Sequence, residues 1–231
     1  MKIKDLLIED DVSKVDILPD KEFRGSLRKS RTDDYAAGYF SKLKRNEKNI
    51  DPHEVVKYNY KPMPSGIDEG FRVYIDYLQK HDIYNIHCPR VLSVQRIKDK
   101  HGHYIDKFSV EKLIPKKNLS FRDVIDAFSS VLSKERIAKF RDIAVDEDLR
   151  SAFLDLQVDL ITYAHRGTNE DMFISDEFKK ALEYADAALN EFIKNNPRTS
   201  AKLDLHPGNI MYRRTPYGLQ PVINDPIAIF F

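Results

Sequence analysis

Apolar residues change their period at Pro115. Before it, "HEVVKYNY", "CPRVLSVQRI" and "YIDKFSVEKLI" are rich in β-branched and aromatic residues and read as strands, and "YAAGYFSKLKR" reads as one more. The tip "KDKHGH" joins two of them into a hairpin. One helix interrupts this set: in "SGIDEGFRVYIDYLQKH", Phe71, Tyr74, Ile75 and Leu78 stand at i, i+3, i+4 and i+7. After Pro115 the period is helical. Ser120 and Asp123 form a capping-box start for "FRDVIDAFSSVL", with Phe121, Val124, Ile125, Phe128 and Leu132 on its apolar face. "LRSAFLDLQVDLITYAH" is a second amphipathic helix. "SDEFKKALEYADAALNEFIKNNP" is a third, with Phe178, Leu182, Tyr184, Ala185, Leu189, Phe192 and Ile193 on its face and Pro197 ending it. Two short strands then surround the turn "TPYG". Strands first and helices later predict an α+β fold, not an alternating one. The expected division is a charged arm over 1–34, a strand-rich lobe over 35–114 and a helical lobe over 115–231.

Composition narrows the function classes. The 231 residues are 42% hydrophobic, enough to bury the core of one domain or two small lobes. A net charge of +1 gives no global electrostatic case for a nucleic-acid partner. Cys88 is the only cysteine, so no disulfide can form within the chain, which fits a reducing compartment. No apolar stretch reaches the roughly 18 residues of a membrane span, and "MKIKDLLIEDD" is too acidic for a signal peptide. The expectation is a cytoplasmic protein with no membrane partner. Oligomeric state is not legible. His101 and His103 read as a hairpin tip, and His87 with Cys88 as a loop packed against a sheet, because neither pair has further ligands nearby.

The stretch "KLDLHPGNIMYRRTPYGLQPVINDP" concentrates chemistry. Asp204 and Asn209 lie five residues apart in a loop broken by Pro207 and Gly208, and Asp225 follows the last strand of a hairpin. Carboxylate and amide oxygens are hard ligands of the kind Mg²⁺ prefers, often completed by substrate phosphates. A carboxylate beside such a metal can take the proton of an attacking hydroxyl.

"LDLHPGNIM…VINDP" resembles the catalytic loop and metal-binding aspartate of the protein-kinase-like fold. It is most similar to the early serine/threonine protein kinases of lytic podophages, and also to aminoglycoside- and choline-phosphotransferase-type kinases. The resemblance implies ATP and Mg²⁺ as cofactors, Asp204 as catalytic base, Asn209 and Asp225 as metal ligands, and His206 as a supporting loop residue. It also implies parts upstream. Lys57 in "HEVVKYNY" resembles the strand lysine that pairs the phosphates, with Lys61 as its competitor. Gly38, Phe40 and Ser41 in "AAGYFSKL" resemble a G-x-F-S phosphate loop. The acidic partner of the lysine would be Glu69, or Asp76 two turns further on. "FSVEKLIP" falls at the hinge, with Val110 as gatekeeper and the backbone of Glu111 and Leu113 meeting adenine. Lys202 and Pro226 replace the histidine and Phe-Gly of the eukaryotic motifs. Only "PIAIFF" follows Asp225, so the expectation is a minimal kinase without an activation segment, its helical lobe built from residues 116–200.

The implied function is transfer of phosphate to serine or threonine on host proteins, and to Ser26, Ser30 or Thr32 in the chain's own basic segment "RGSLRKSRT". Two alternatives stay open. One is a small-molecule kinase, with Asp155, Asp159, Glu170 and Asp171 lining a cationic pocket. The other is a catalytically dead, kinase-like binding module.

Overall fold

The computed structural model describes residues 34–37, 41–45, 54–60, 70–98, 104–146, 148–206 and 208–230, with only the backbone described up to residue 60 and at 97–98, 104–105 and 146. The fold is α+β. It comprises two compact units: one holds residues up to Glu69 with Arg90–Lys112, the other Gly70–Pro89 with Leu113–Phe230. Among the described residues, no helix is long and apolar enough to cross a membrane.

The first unit carries an antiparallel sheet of β1 (Asp34–Ala37), β2 (Ser41–Arg45), β3 (Glu54–Tyr60), β4 (Val91–Lys98) and β5 (Tyr104–Glu111) in the order β1-β2-β3-β5-β4. The sequence run "YAAGYFSKLKR", expected as one strand, forms two paired strands, with Ala37 opposite Lys42. A glycine inside an otherwise strand-like run is the feature that weakens a single-strand reading. The expected hairpin is present as β4 and β5, whose register sets Val94 against Phe108 and Arg96 against Asp106. The Arg96 guanidinium donates to both oxygens of Asp106, at 2.8 and 3.2 Å.

In the second unit, helix α1 (Gly70–Lys80) buries the face its period foretold: Phe71 and Tyr74 are fully buried, Ile75 and Leu78 nearly so. Removing each such side chain from water contributes roughly 1.5–3 kcal/mol. Gly70–Pro89 therefore belongs to this unit, whereas the sequence put the whole stretch up to 114 in the strand-rich lobe. The reason is packing: the apolar face of α1 lies against helix α5 (Asp176–Asn195) and a C-terminal strand, β9 (Ile227–Phe230). Glu191 of α5 accepts from Lys80 at 2.7 Å and from His81 at 3.2 Å, pinning the far end of α1.

Helix α2 (Phe121–Phe128) starts at the expected capping box. The Ser120 hydroxyl oxygen accepts from the Asp123 amide, and the Asp123 carboxylate accepts from the Ser120 amide. Such caps contribute about 1 kcal/mol. Phe121 departs from the expected face and is 38% exposed. Helix α3 (Lys134–Asp146) was not legible in the sequence; α4 (Leu149–Arg166) and α5 were. On α5, Phe178, Leu182, Ala185 and Leu189 are buried as expected, Tyr184 and Phe192 are half-buried, and Ile193 is exposed. Phe128, Phe140 and Phe153 form the aromatic centre of the helical core, and Phe128 meets Tyr212 edge-on with ring centres 6.2 Å apart. Arg136 is buried on α3 and pairs with Asp155 and Asp159 of α4, each at 2.7 Å. Removing both carboxylates would leave the buried Arg136 guanidinium without these two partners.

Candidate active site

Two separate ladders frame the chemistry-bearing loop. Strand β6 (Ser200–Leu203) pairs antiparallel with β9, ending at Leu203 opposite Ile227. Strand β7 (Ile210–Thr215) pairs with β8 (Gly218–Ile223), beginning at Ile210 opposite Ile223. The two ladders leave 204–209 on one side and 224–226 on the other. Both ends of this gap are closed by backbone hydrogen bonds. The Asp204 amide donates to the Pro226 carbonyl at 2.7 Å, and the Asn224 amide donates to the Asn209 carbonyl at 2.8 Å. Asp225 is the one residue between Asn224 and Pro226, so its backbone is held opposite both Asp204 and Asn209. The short "IAIF" segment after Asp225, which the sequence left without a role, is the strand that makes this possible.

Side chains reinforce the frame. Asn209 Nδ2 donates to the Asp204 carbonyl at 2.8 Å and to Asp204 Oδ2 at 3.0 Å. An amide that turns its nitrogen to Asp204 turns its oxygen away from it, and Oδ1 is the atom a cation takes. The Asp204 carboxyl is 30% exposed, open to an incoming group. Asp225 is half-buried. His206 accepts the Gly208 amide on Nδ1 at 2.8 Å, which leaves the proton on Nε2, 3.7 Å from Asp204 Oδ2. Gly208 is required by this arrangement: a Cβ there would stand 2.5 Å from His206 Cε1.

The pedestal beneath β7 and β8 is polar and buried. Arg213 donates to the carbonyls of Ile86 and Cys88, the latter at 2.9 Å, and to Gln220 Oε1 at 2.9 Å. His87 Nδ1 donates to the Pro221 carbonyl at 2.7 Å, while the Ile223 amide donates to the His87 carbonyl at 2.8 Å. Burial holds the His87 imidazole below its usual pKa. Cys88 is buried with its Sγ 3.2 Å from the Tyr74 hydroxyl, and burial pushes the thiol up to about 11. The His87–Cys88 segment is thus a loop packed on a sheet, as the sequence suggested.

The other expected site residues divide three ways. Gly38, Phe40, Lys61 and Glu69 lie outside the described residues, as do Ser26, Ser30, Thr32, His101 and His103. Ser41 opens β2 opposite Asn59, and Lys57 sits mid-strand in β3 between Leu43 and Phe108. Glu111 ends β5, where its amide donates to the Arg90 carbonyl and its carboxylate accepts the Arg90 amide at 2.8 Å. Leu113 is buried in the second unit, next to the bridge that Ile114 makes with Tyr212. Asp76 accepts from Arg72 Nε at 2.7 Å, one turn away on α1.

The acidic residues proposed for a cationic pocket are mostly engaged. Asp155 takes both Arg136 and Lys139, Asp159 takes Arg136, and Glu170 meets Lys179 at 3.4 Å. Among the described residues, no three His, Cys, Asp or Glu side chains converge as a metal site. The donors at the loop are therefore two carboxylates and an amide oxygen. That set is short for a cage built by protein alone, but it suits a hard cation that brings phosphate oxygens with it. No protein-family model matches the chain, and no curated protein matches it.

Proposed function

We propose that this chain is an ATP- and Mg²⁺-dependent phosphotransferase of the protein-kinase-like fold, acting on serine or threonine hydroxyls of protein. One observation carries the reading: the β6–β9 and β7–β8 ladders hold Asp204 and Asn209 opposite Asp225, with Asn209 bonded to Asp204. The order of these residues along the chain and their convergence agree with the motif resemblance.

In this reading Asp204 receives the proton of the acceptor hydroxyl as its oxygen bonds to the γ-phosphorus and the bond to the bridging oxygen of ADP breaks. Asn209 fixes the Asp204 carboxyl, so the proton acceptor is oriented before the substrate arrives. Asp225 and Asn209 Oδ1 are the atoms that would hold Mg²⁺, which when bound supplies charge neutralisation on the phosphates. Lys57 is the lysine assigned to the nucleotide phosphates, and Gly38, Phe40, Ser41, Glu69, Glu111 and Leu113 are assigned to the nucleotide by the same resemblance. Bacterial host proteins are the proposed acceptors, together with Ser26, Ser30 or Thr32 of the chain itself. The engagement of Asp155 and Asp159 by Arg136 weighs against their serving as a cationic substrate pocket.

Incubation with labelled ATP and Mg²⁺, alone and with a bacterial lysate, tests the proposal. Label on serine or threonine of the chain or of lysate proteins is expected, and mass spectrometry locates it. ATP consumption that follows a small hydroxylated metabolite, with no labelled protein, overturns the protein-kinase assignment. No ATP turnover and no nucleotide binding overturns the phosphotransferase assignment.

A further inference from the structure

Gly70, the first residue of α1, lies against the backbone of β9. A Cβ built at Gly70 would stand 1.8 Å from the Ile227 carbonyl oxygen and 2.8 Å from its carbon. Those are main-chain atoms in a paired strand, so neither can swing aside as a side chain would. Glycine is the residue that permits such an approach, and the oxygen faces the Cα–H in the manner of a weak C–H···O contact.

The place of this contact gives it meaning. Ile227 is the β9 residue opposite Leu203, the last residue before Asp204. One residue back, the Pro226 carbonyl accepts the Asp204 amide. One further back is Asp225. The α1 N-terminus therefore backs directly onto the rung that begins the catalytic loop. The rest of α1 is fixed elsewhere, by Phe71, Tyr74, Ile75 and Leu78 in the core and by Lys80 and His81 on Glu191. An anchored helix touching one strand at backbone distance sets how far that strand can move.

We infer that Gly70 is a positioning residue for the candidate site: its close approach to Ile227 sets the height of β9 and hence the stance of Asp225 opposite Asp204. The metal role of Asp225 rests on the phosphotransferase reading, whereas the mechanical coupling does not. Any side chain at position 70 must push β9 away from α1 or tilt α1 off its core. Either movement loosens the Asp204–Pro226 bond and misplaces the Asp225 carboxylate.

Two readouts on Gly70→Ala test this, with Leu78→Ala as the control that disturbs α1 two turns away. The first is Mn²⁺ binding in the presence of ATP, followed by electron paramagnetic resonance. Gly70→Ala is expected to weaken it about tenfold, the scale of an outer-shell defect at a metal site, and Leu78→Ala to leave it within about twofold. The second is hydrogen exchange at the Asp204 amide, expected to quicken in Gly70→Ala and to stay unchanged in Leu78→Ala beyond any global destabilisation. A folded Gly70→Ala protein with unchanged Asp204 exchange overturns the inference. If the wild type binds no Mn²⁺ with ATP, the phosphotransferase reading falls, and the exchange result alone decides the coupling. If Gly70→Ala does not fold, Phe71→Leu loosens the core anchor next to Gly70, and with it the approach of α1 to Ile227. Faster Asp204 exchange is again expected, and no change overturns the inference.

Discussion

The Asn209 side chain donates to Asp204 twice, to its backbone carbonyl at 2.8 Å and to its carboxylate at 3.0 Å. One amide thus fixes both where the Asp204 backbone runs and which way its carboxyl points. Under the proposed chemistry the two residues have separable roles, and so does Asp225. Asp204→Ala should lower phosphoryl transfer by about 10²–10⁴-fold while nucleotide binding persists, because its role is at the acceptor proton. Asp225→Ala should remove metal-dependent nucleotide binding as well. Turnover at saturating ATP and direct nucleotide titration separate these outcomes. Full activity in Asp204→Ala would remove it from the mechanism.

Lys57 lies in the middle of β3, bracketed by Leu43 and Phe108 on neighbouring strands. A mid-strand position is fixed by ladders on both sides, which suits a residue that must hold a phosphate in one place. Lys57→Ala should impair ATP use at least tenfold more than Lys61→Ala, a difference of about 1.4 kcal/mol. Glu69→Ala and Asp76→Ala, made separately, identify the acidic partner. Equal steady-state rates in all four variants would remove the lysine assignment and leave the loop chemistry standing.

Gly208 makes room for the His206 ring, which accepts the Gly208 amide. Gly208→Ala should expel that ring from above residue 208, since its Cβ would meet Cε1 at 2.5 Å. The ring is at the end of an exposed side chain, so the fold should survive with little loss in Tm. The signature to look for is a changed chemical shift for the His206 ring in NMR, with reduced turnover. An unaltered His206 spectrum would show that the loop accommodates the methyl group by other means.

His87 is buried and donates to the Pro221 carbonyl, and burial lowers its pKa. The unfolded chain then binds a proton more readily than the folded one, so stability rises with pH across this window. The contribution is complete above the ordinary histidine value of about 6.5 and declines as pH falls below it toward the lowered folded value. Tm should drop as pH falls below about 6.5, and His87→Gln should flatten that slope while lowering Tm at neutral pH. A parallel pH profile in the variant would assign the slope to other groups.

Much of the fold was readable because some helices declare themselves. The four apolar residues of α1 repeat at one period and all four are buried. The Ser120–Asp123 box fixes the start of α2 by local chemistry alone. Helix α3 did not declare itself because "KERIAKFRDIAVD" buries Ile137 and Phe140 but leaves Val145 exposed, so its apolar residues trace no single stripe. Strands β6 and β9 are four residues each, too short to show alternation, and each exists through its pairing with the other. At the candidate site, the residue types and the chance of their meeting were legible, and the backbone frame that sets Asp225 opposite Asp204 and Asn209 was not. Asp204, Asn209 and Asp225 are separated by a hairpin in sequence, and only the two ladders bring them together. Asp155 and Asp159 show the opposite case. Two carboxylates one helical turn apart look available, yet Arg136 from another helix occupies both.

The pairing of β6 with β9 also sets an order of events during synthesis. Helices α3–α5 can begin to collapse on one another once residue 195 has cleared the ribosome, since α4 packs on both α3 and α5, whereas α2 must wait for β8. The β7–β8 hairpin is local and closes as soon as it emerges. The rung that holds Asp204 cannot form until Ile227–Phe230 has followed. A nascent chain paused a few residues earlier would carry much of the helical body, with Asp204 and Asp225 not yet held opposite each other. Under the proposed function, activity would wait for that pairing.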